Sequence, residues 1–345
     1  MGKIGFCLLL VFILFSCNQE DHGPDVSGVK VNLEVQRFDN DFFSIDTNNL
    51  EPGLAKLQEK YPEFLRLFMN NIAGISGPEQ IRSFYGSYRP VYDSARLLYR
   101  NFEPVRSGLE QAFRYVKFYF PDYKLPGEVI PVVGPMNSRE DLPRMAGGDY
   151  TPNFIGPGLV GISLQFYLGS AFSFYSNQYF VNNVAPVYRS RRFSREYITA
   201  DVMKLITDDL FPDNSRRLPL IEQMVEKGKQ WWLLDKFMPA APDTIKTGYT
   251  GDQLEFCRRN EGLIWSYIIT NENLESLEPA TIQNYIGESP FTQSISPEQS
   301  PGNIGQWIGW QIVKKYVEKN NTLKPEEVMK ATPREIIEEA RYKPK

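Results

Sequence analysis

The sequence predicts a mostly helical α+β fold, with a small antiparallel sheet packed against a large helical body. Residues 29–35 alternate between apolar and polar side chains, and residues 129–133 and 159–168 are largely apolar, which are the patterns of strands. Much of the remaining chain carries apolar residues three and four positions apart, the spacing of amphipathic helices. Few strands beside many helices indicate the α+β class.

Proline and capping residues set the limits of these elements. Pro131 indicates that the second strand lies at an edge or ends there. Pro104 suits the first turn of a helix that stops at Pro121, and Ser194 can cap the start of another. Residues 134–158 are rich in glycine and proline and predict a long loop that is functional or mobile. Helices are predicted over residues 54–68 with an interruption at Pro62, and over residues 89–99, 104–120, 194–210, 219–237, 252–269 and 303–318, followed by short turns, the last after Thr332.

The N-terminus predicts a lipoprotein signal peptide. Residues 4–15 follow a single lysine, carry no charge and are too few to span a bilayer. They lead into Leu14, Ser16 and Cys17, an ending that resembles a bacterial lipobox. The resemblance implies that residues 1–16 are removed and that Cys17 carries two or three fatty acyl chains such as palmitate, enough for stable anchoring. A plain secretory signal with an incidental cysteine is the alternative.

A polar tether follows the cysteine. Residues 17–28 show no apolar periodicity and predict a flexible segment with a relaxed reach of about 18 Å. The acidic pair Glu20 and Asp21 resembles a surface-export signal of Bacteroidetes lipoproteins, or it simply keeps the tether solvated. Residues 29–345 are predicted to form one globular domain.

Composition excludes several classes of function. The chain has 38 Lys and Arg against 42 Asp and Glu, so it lacks the basic excess of a nucleic-acid-binding protein. Its one histidine, His22, lies in the tether, so the body cannot hold a Ser-His-Asp triad, a Cys-His pair or an HExxH zinc site. Cys257 is the one cysteine of the body, which excludes an internal disulfide. We therefore predict no catalytic residues of these kinds, no metal site and no cofactor.

Glu261 is the first candidate site residue. It shares a helical stripe with Leu254, Cys257, Ile264 and Trp265. A carboxylate on a stripe that faces the core must be paired or have a raised pKa. Glu261 is therefore either an acid in a pocket or one half of a structural pair with an arginine or a backbone donor.

The second candidate is a cluster of four arginines within seven residues: Arg189, Arg191, Arg192 and Arg195. Guanidinium groups bind anions through paired hydrogen bonds, so the cluster is suited to an anionic partner such as a lipid headgroup phosphate. The alternative is a solvated face, or internal pairs with Asp201, Asp208 and Asp209.

Aromatic and small residues allow two interpretations. Trp231, Trp232 and the aromatic cluster at residues 172–180 either line a groove for peptide or glycan or fill the core. Gly305 and Gly309 lie among large apolar residues and allow close approach of another helix. For these glycines we predict tight packing in the core.

The body also carries a series of short motifs. They are Arg37-Phe38-Asp39 with Phe42-Phe43, Tyr61-Pro62, Phe120-Pro121-Asp122-Tyr123-Lys124-Leu125-Pro126, Tyr167-Leu168-Gly169, Gly228-Lys229, Asn260-Glu261 with Ile264-Trp265, the run from Ser300 to Gly309, and Tyr342-Lys343-Pro344. In this order they resemble the gliding motility lipoprotein GldB family of Bacteroidetes. The resemblance implies a membrane-anchored protein with partners among other gliding and secretion proteins. It places the protein at the outer membrane, facing the periplasm or exposed on the surface.

The order of sheet and helices is also distantly similar to that of zinc peptidases, which makes the predicted fold zincin-like and degenerate. In that likeness Arg195 and Thr199 stand where the two histidines of HExxH would be. Glu196 takes the general-base position, and Glu226 lies near the third ligand. Carboxylates without imidazoles make a poor zinc site, so the likeness implies a scaffold without its metal.

The function predicted from the sequence is a non-catalytic, partner-binding role in the gliding and secretion machinery. One alternative is a hydrolase that uses Glu196, Glu226 or Glu261 as acid and base. The other is a module that binds peptide or glycan in an aromatic groove.

Overall fold

The computed structural model of the protein describes residues 23–146 and 148–344. Of the described residues, 58% are helical, and they accompany a four-stranded sheet, which confirms the mostly helical α+β fold. The strands are β1 (Glu34–Val35), β2 (Glu128–Val132), β3 (Asn153–Gly156) and β4 (Leu159–Ser163). The helices are α1 (Phe38–Phe42), α2 (Leu50–Lys60), α3 (Pro62–Leu67), α4 (Pro78–Leu98), α5 (Glu103–Tyr119), α6 (Gln178–Asn183), α7 (Val187–Ser190), α8 (Ile198–Leu210), α9 (Leu220–Phe237), α10 (Asp243–Thr247), α11 (Gly251–Arg259), α12 (Glu261–Asn271), α13 (Pro279–Ile286), α14 (Ile304–Lys319), α15 (Pro325–Lys330) and α16 (Pro333–Ala340).

The sheet is mixed rather than antiparallel. Its strand order is β1-β2-β4-β3; β2 runs parallel to β1 and β4, and β3 is antiparallel to β4. The predicted antiparallel pairing of residues 129–133 with residues 159–168 is therefore wrong. The segment between them is long enough to cross over, and β3 within that segment turns back onto β4 through Gly158, whose φ is +74°.

The strands are shorter than the apolar runs that predicted them. Residues 29–35 contribute only two paired residues, and the run at residues 159–168 leaves the sheet after Ser163. The pairing with β1 ends before Pro131 of β2. Within the described residues, this proline therefore has no strand beside it on that side, in agreement with its missing N–H.

Most predicted helices are present, but some have different limits. The helix predicted from residue 89 begins at Pro78, and the helix predicted over residues 252–269 is divided into α11 and α12 at Asn260. Asn260 Nδ2 donates to Phe256 O at 2.8 Å, so this side chain takes up a backbone acceptor at the break. Thr332 caps α16 as predicted, because its hydroxyl accepts from Glu335 N at 3.2 Å.

The centre of the helical body is the crossing of α9 and α14. A Cβ atom on Gly309 would lie 1.7 Å from Met224 O, and one on Gly228 would lie 2.2 Å from the carbonyl carbon of Gly309. Gly305 also faces Met224, with 3.0 Å between its ideal Cβ position and Met224 Cγ. The backbones touch where side chains would normally separate them, which confirms that these glycines serve tight packing.

A buried ion pair stabilises the N-terminal part of the body. Arg37 Nε and Nη2 donate to the two carboxylate oxygens of Asp39 at 2.8 and 2.7 Å, and Arg37 Nη1 donates to Tyr99 O at 2.8 Å. The Asp39 side chain has no exposed surface. Between the two charged residues, Phe38 packs edge-on against Phe64 with ring centroids 4.9 Å apart. The Arg37-Phe38-Asp39 motif thus has a structural role.

The signal peptide, Cys17 and the first part of the tether lie outside the described residues. At the described end of the tether, Val26 is 3% exposed, so the chain is already packed on the body there. Beyond it, the buried apolar residues from Leu33 to Ala340 form one hydrophobic cluster. Among the helices of residues 23–146 and 148–344, none has the length and apolar character needed to span a membrane.

Candidate functional site: a charged cavity beside α8 and α9

A cavity of about 370 Å³ lies between the loop before β3 and several helices. Its size is at the lower end of the range for small-ligand sites. Trp231 of α9 lines the cavity. This position matches the interpretation in which the aromatic residues line a groove. The aromatic residues Phe172, Tyr175 and Phe180 instead pack on one another in or against the core. The lining residues lie at position 145 and within 149–152, 187–193, 201–213, 227–234, 247–253, 286–290 and 301–306.

Three of the four candidate arginines line the cavity, and two of them pair with Glu288. Arg189 Nη1 lies 3.3 Å from Glu288 Oε2, and Arg192 Nη2 contacts Glu288 Oε1. Arg189 also donates to Tyr150 O at 2.6 Å. Burial alone would raise the pKa of Glu288, but the charges of Arg192 and Arg189 outweigh it and hold the pKa below its usual value. One negative charge is therefore shared by two positive ones.

Arg191 has no carboxylate within ion-pair distance among the described residues. Its Nε donates to Tyr188 O at 2.9 Å, and its Nη2 donates to Gly248 O at 2.7 Å and lies 3.4 Å from Gln253 Oε1. Nη1 has no acceptor in the part of the chain that the structure describes. Burial, and then the charge of Arg192, lower the pKa of Arg191. The guanidinium is thus held in place by carbonyl groups and keeps one amino group for a ligand.

The fourth arginine, Arg195, is exposed and does not line the cavity. The aspartates expected as internal partners are engaged elsewhere. Asp201 pairs with Lys204 at 3.0 Å, Asp208 accepts from Ala146 N at 2.7 Å, and Asp209 accepts from Tyr123 OH at 2.7 Å. Over the described residues, none of the three pairs with the arginine cluster, which uses Glu288 instead.

A second charged group in the lining is acidic. Lys227 Nζ lies 3.0 Å from Asp149 Oδ2 and 3.1 Å from Asp213 Oδ2, so two carboxylates share one ammonium group. Asp208 has no cationic partner within the described ranges and contacts Ala146 in the same turn that carries Asp149. The lining therefore has excess positive charge at the arginines, and around this turn three carboxylates face two cations, Lys227 and the Arg216 guanidinium against Gly148.

Thr207 adds a buried hydroxyl without a partner. Its side chain has no exposed surface, it lines the cavity, and Oγ1 makes no hydrogen bond to any described residue. Asp213 Oδ2 is also without a hydrogen bond of normal geometry, although Lys227 is close. A buried polar group left unsatisfied costs about 1–3 kcal/mol, so the cavity contains donors and acceptors that a bound ligand would satisfy.

The three candidate glutamates do not meet in this cavity. Glu196 is exposed in the turn before α8, where the hydrogen bond with the Ser194 side chain lowers its pKa. Glu226 pairs with Lys229 of α9 at 2.8 Å. Neither lines the cavity, and Glu261 does not line it either.

Glu261 holds the C-terminal segment. Its Oε1 accepts from Tyr342 OH at 2.5 Å, and the Tyr342 ring packs edge-on against Trp265 at 5.4 Å. Burial and this hydrogen bond raise the pKa of Tyr342. Of the two sequence interpretations, the contacts match a structural pair, but the donor is a phenol rather than an arginine or a backbone group.

Sequence reasoning missed Lys227, Thr207 and Glu288. Lys227 lies one helical turn before Trp231 on α9, so the helical spacing predicts that both side chains lie on one face of this helix. Glu288 lies 96 residues from Arg192 in a segment without periodicity. No local pattern connects the two, because their contact depends on how the helices pack.

Comparison with known proteins gives one match. The family model of the gliding motility protein GldB matches residues 19–344, which include the cavity and the Glu261–Tyr342 pair. No curated protein and no solved structure matches the chain. The likeness to zinc peptidases thus has no support from a solved structure, and the described residues hold no group of three or more His, Cys, Asp or Glu side chains that could bind a metal ion.

Proposed function

Because the chain belongs to the family of the gliding motility protein GldB, we propose that it is an anchored binding protein of the gliding and secretion machinery and not an enzyme. In this proposal residues 1–16 are removed and acylated Cys17 holds the protein at the outer membrane, facing the periplasm. The body then binds other proteins of that machinery close to the membrane.

The arrangement of charges in the cavity supports a binding role. A general acid needs a raised pKa, and a general base needs a carboxylate free to take a proton. Glu288 has a lowered pKa and is occupied by two arginines. For Asp213, burial would raise the pKa, but Lys227 and the hydrogen bonds from Ser215 outweigh it and lower it. These side chains are arranged to hold charge in fixed positions rather than to transfer protons.

A hydrolase is the alternative, and Glu226 is its best acid. Burial raises the pKa of Glu226, although Lys229 opposes the shift. Glu226 lies outside the cavity and its carboxylate is 2.8 Å from Lys229 Nζ. A substrate in the cavity would therefore not meet this acid, which favours binding over hydrolysis.

Cys17→Ala is expected to leave a folded protein that is released from the membrane fraction and no longer supports gliding, because the acyl chains are its attachment. Membrane fractionation and a gliding assay measure the two effects. Cys7→Ala, which changes the other cysteine of the signal peptide, is the matched control and should leave both unchanged. Retention of the Cys17→Ala protein in membranes would contradict the lipid anchor, and normal gliding after its release would contradict the anchored role.

Glu261→Gln tests whether Glu261 has a structural role or acts as the acid of a hydrolase. Because the variant replaces a charge-assisted hydrogen bond with a neutral one, we expect the free energy of unfolding to fall by about 1 kcal/mol while gliding continues. Tyr342→Phe should cost a similar amount, and the double variant should cost less than the sum, as urea denaturation would measure. Loss of gliding in a Glu261→Gln protein of normal stability would instead support the hydrolase.

A further inference from the structure

The cavity has opposite charges at two places along α8. Asp201 and Asp208 both line it and are seven residues apart, about 10 Å along the helix axis. The arginine cluster stands at the N-terminal end of α8, because Arg192 precedes Ile198, the first residue of this helix, by six positions. Asp208 lies near the C-terminal end, beside the turn that carries Asp149. The cavity is therefore polarised, with excess positive charge at one end and excess negative charge at the other.

The positive end has a donor prepared for an anion. Three acceptors fix the Arg191 guanidinium, Nη1 is unoccupied among the described residues, and no carboxylate there neutralises the charge. Glu288 is already shared between Arg189 and Arg192. A carboxylate on Arg191 would complete the ion pairing of this end.

The negative end is suited to a cation with hydrogen-bond donors. Asp208 takes one backbone N–H and has no cationic partner within the described residues, and Lys227 is outnumbered by Asp149 and Asp213. Between the two ends, the buried Thr207 hydroxyl lacks a partner in the described chain. An ammonium group near Asp208 and an amide near Thr207 would satisfy these groups.

We propose that the cavity binds a short peptide with both termini free, about three residues long, with its carboxylate on Arg191 and its amino group beside Asp208. Three extended residues span about 10 Å, similar to the axial separation of Asp201 and Asp208 on α8, which mark the two ends. Inorganic phosphate lacks a cationic end, and a fatty acid has neither a cationic end nor an amide that could pair with the buried hydroxyl. This inference rests on the proposed binding role and adds to it the class of ligand.

The test is calorimetric titration of the full chain, purified in detergent, with trialanine. Trialanine is expected to bind, and its C-terminal amide and N-acetyl forms should each bind at least about tenfold more weakly, because each loses one charge. Arg191→Gln should weaken trialanine binding by the same factor. The variant and the wild type should bind the C-terminal amide equally, because that peptide lacks the carboxylate that Arg191 would bind. The matched control is Arg195→Gln, an exposed arginine outside the cavity, which should leave the affinity unchanged.

Thr207→Val keeps the test decisive if Arg191→Gln does not fold. The hydroxyl has no described partner, so the variant should be as stable as the wild type and bind trialanine about threefold to tenfold more weakly. Three results would overturn the inference. Trialanine fails to bind, the two blocked peptides bind as tightly as trialanine, or inorganic phosphate binds in its place. The anchored role would then still stand or fall with gliding of the Cys17→Ala strain, which does not depend on any peptide.

Discussion

Gly309→Ala is expected to lower the free energy of unfolding by about 3 kcal/mol or more, the upper end of the cost of overpacking. The new Cβ atom would lie 1.7 Å from Met224 O, an atom of the backbone of α9 that cannot rotate away. The two helices must therefore separate, and their neighbours lose contact with them. Urea denaturation of the purified protein, followed by circular dichroism, measures the loss.

Gly86→Ala is the matched control for that substitution. Gly86 lies inside α4, and a Cβ atom on it would meet no atom of the described residues within 4 Å. Alanine favours a helix more than glycine does, so we expect this variant to gain about 0.5–1 kcal/mol. A similar change in the free energy of unfolding for both variants would show that α9 and α14 do not touch at Gly309.

Asp39→Ala is expected to cost about 3 kcal/mol, because it leaves the Arg37 guanidinium largely buried without its carboxylate. The Arg37 side chain is 20% exposed and the Asp39 side chain is fully buried, so water can replace little of the lost interaction. Thermal and urea unfolding of the variant would measure the effect.

Asp93→Ala provides the comparison at an exposed pair. Asp93 lies 3.2 Å from Arg89, and both side chains are more than 40% exposed. Such pairs contribute less than about 1 kcal/mol, so the variant should unfold almost as the wild type does. Equal losses at Asp39 and Asp93 would contradict the structural role of the Arg37-Phe38-Asp39 motif.

The fold class and most long helices could be predicted because they depend on local spacing. The helix α5 between Pro104 and Pro121 and the cap at Thr332 follow from residues next to each other in the chain. The direction of strand pairing could not be predicted, because β3 lies inside a Gly- and Pro-rich loop and its four residues give no clear alternation. The division at Asn260 was missed because the apolar stripe continues on both sides of it.

The candidate site could be predicted only in part. Arg189, Arg191 and Arg192 stand out by their density along the chain, and they do line one cavity. Glu288 and Thr207, whose hydroxyl has no partner among the residues that the structure describes, give no such signal, because both owe their environment to packing between distant segments. Glu261 was singled out by its apolar stripe, but its partner Tyr342 lies 81 residues away.

The burial of Val26 limits the distance between the body and the attachment point that we propose at Cys17. Only eight residues lie between the two, and a fully stretched chain from Cys17 to Val26 covers about 30 Å. In the anchoring that we propose, the surface around Val26 therefore stays within about 30 Å of the headgroups, where molecules held at the same bilayer can reach it.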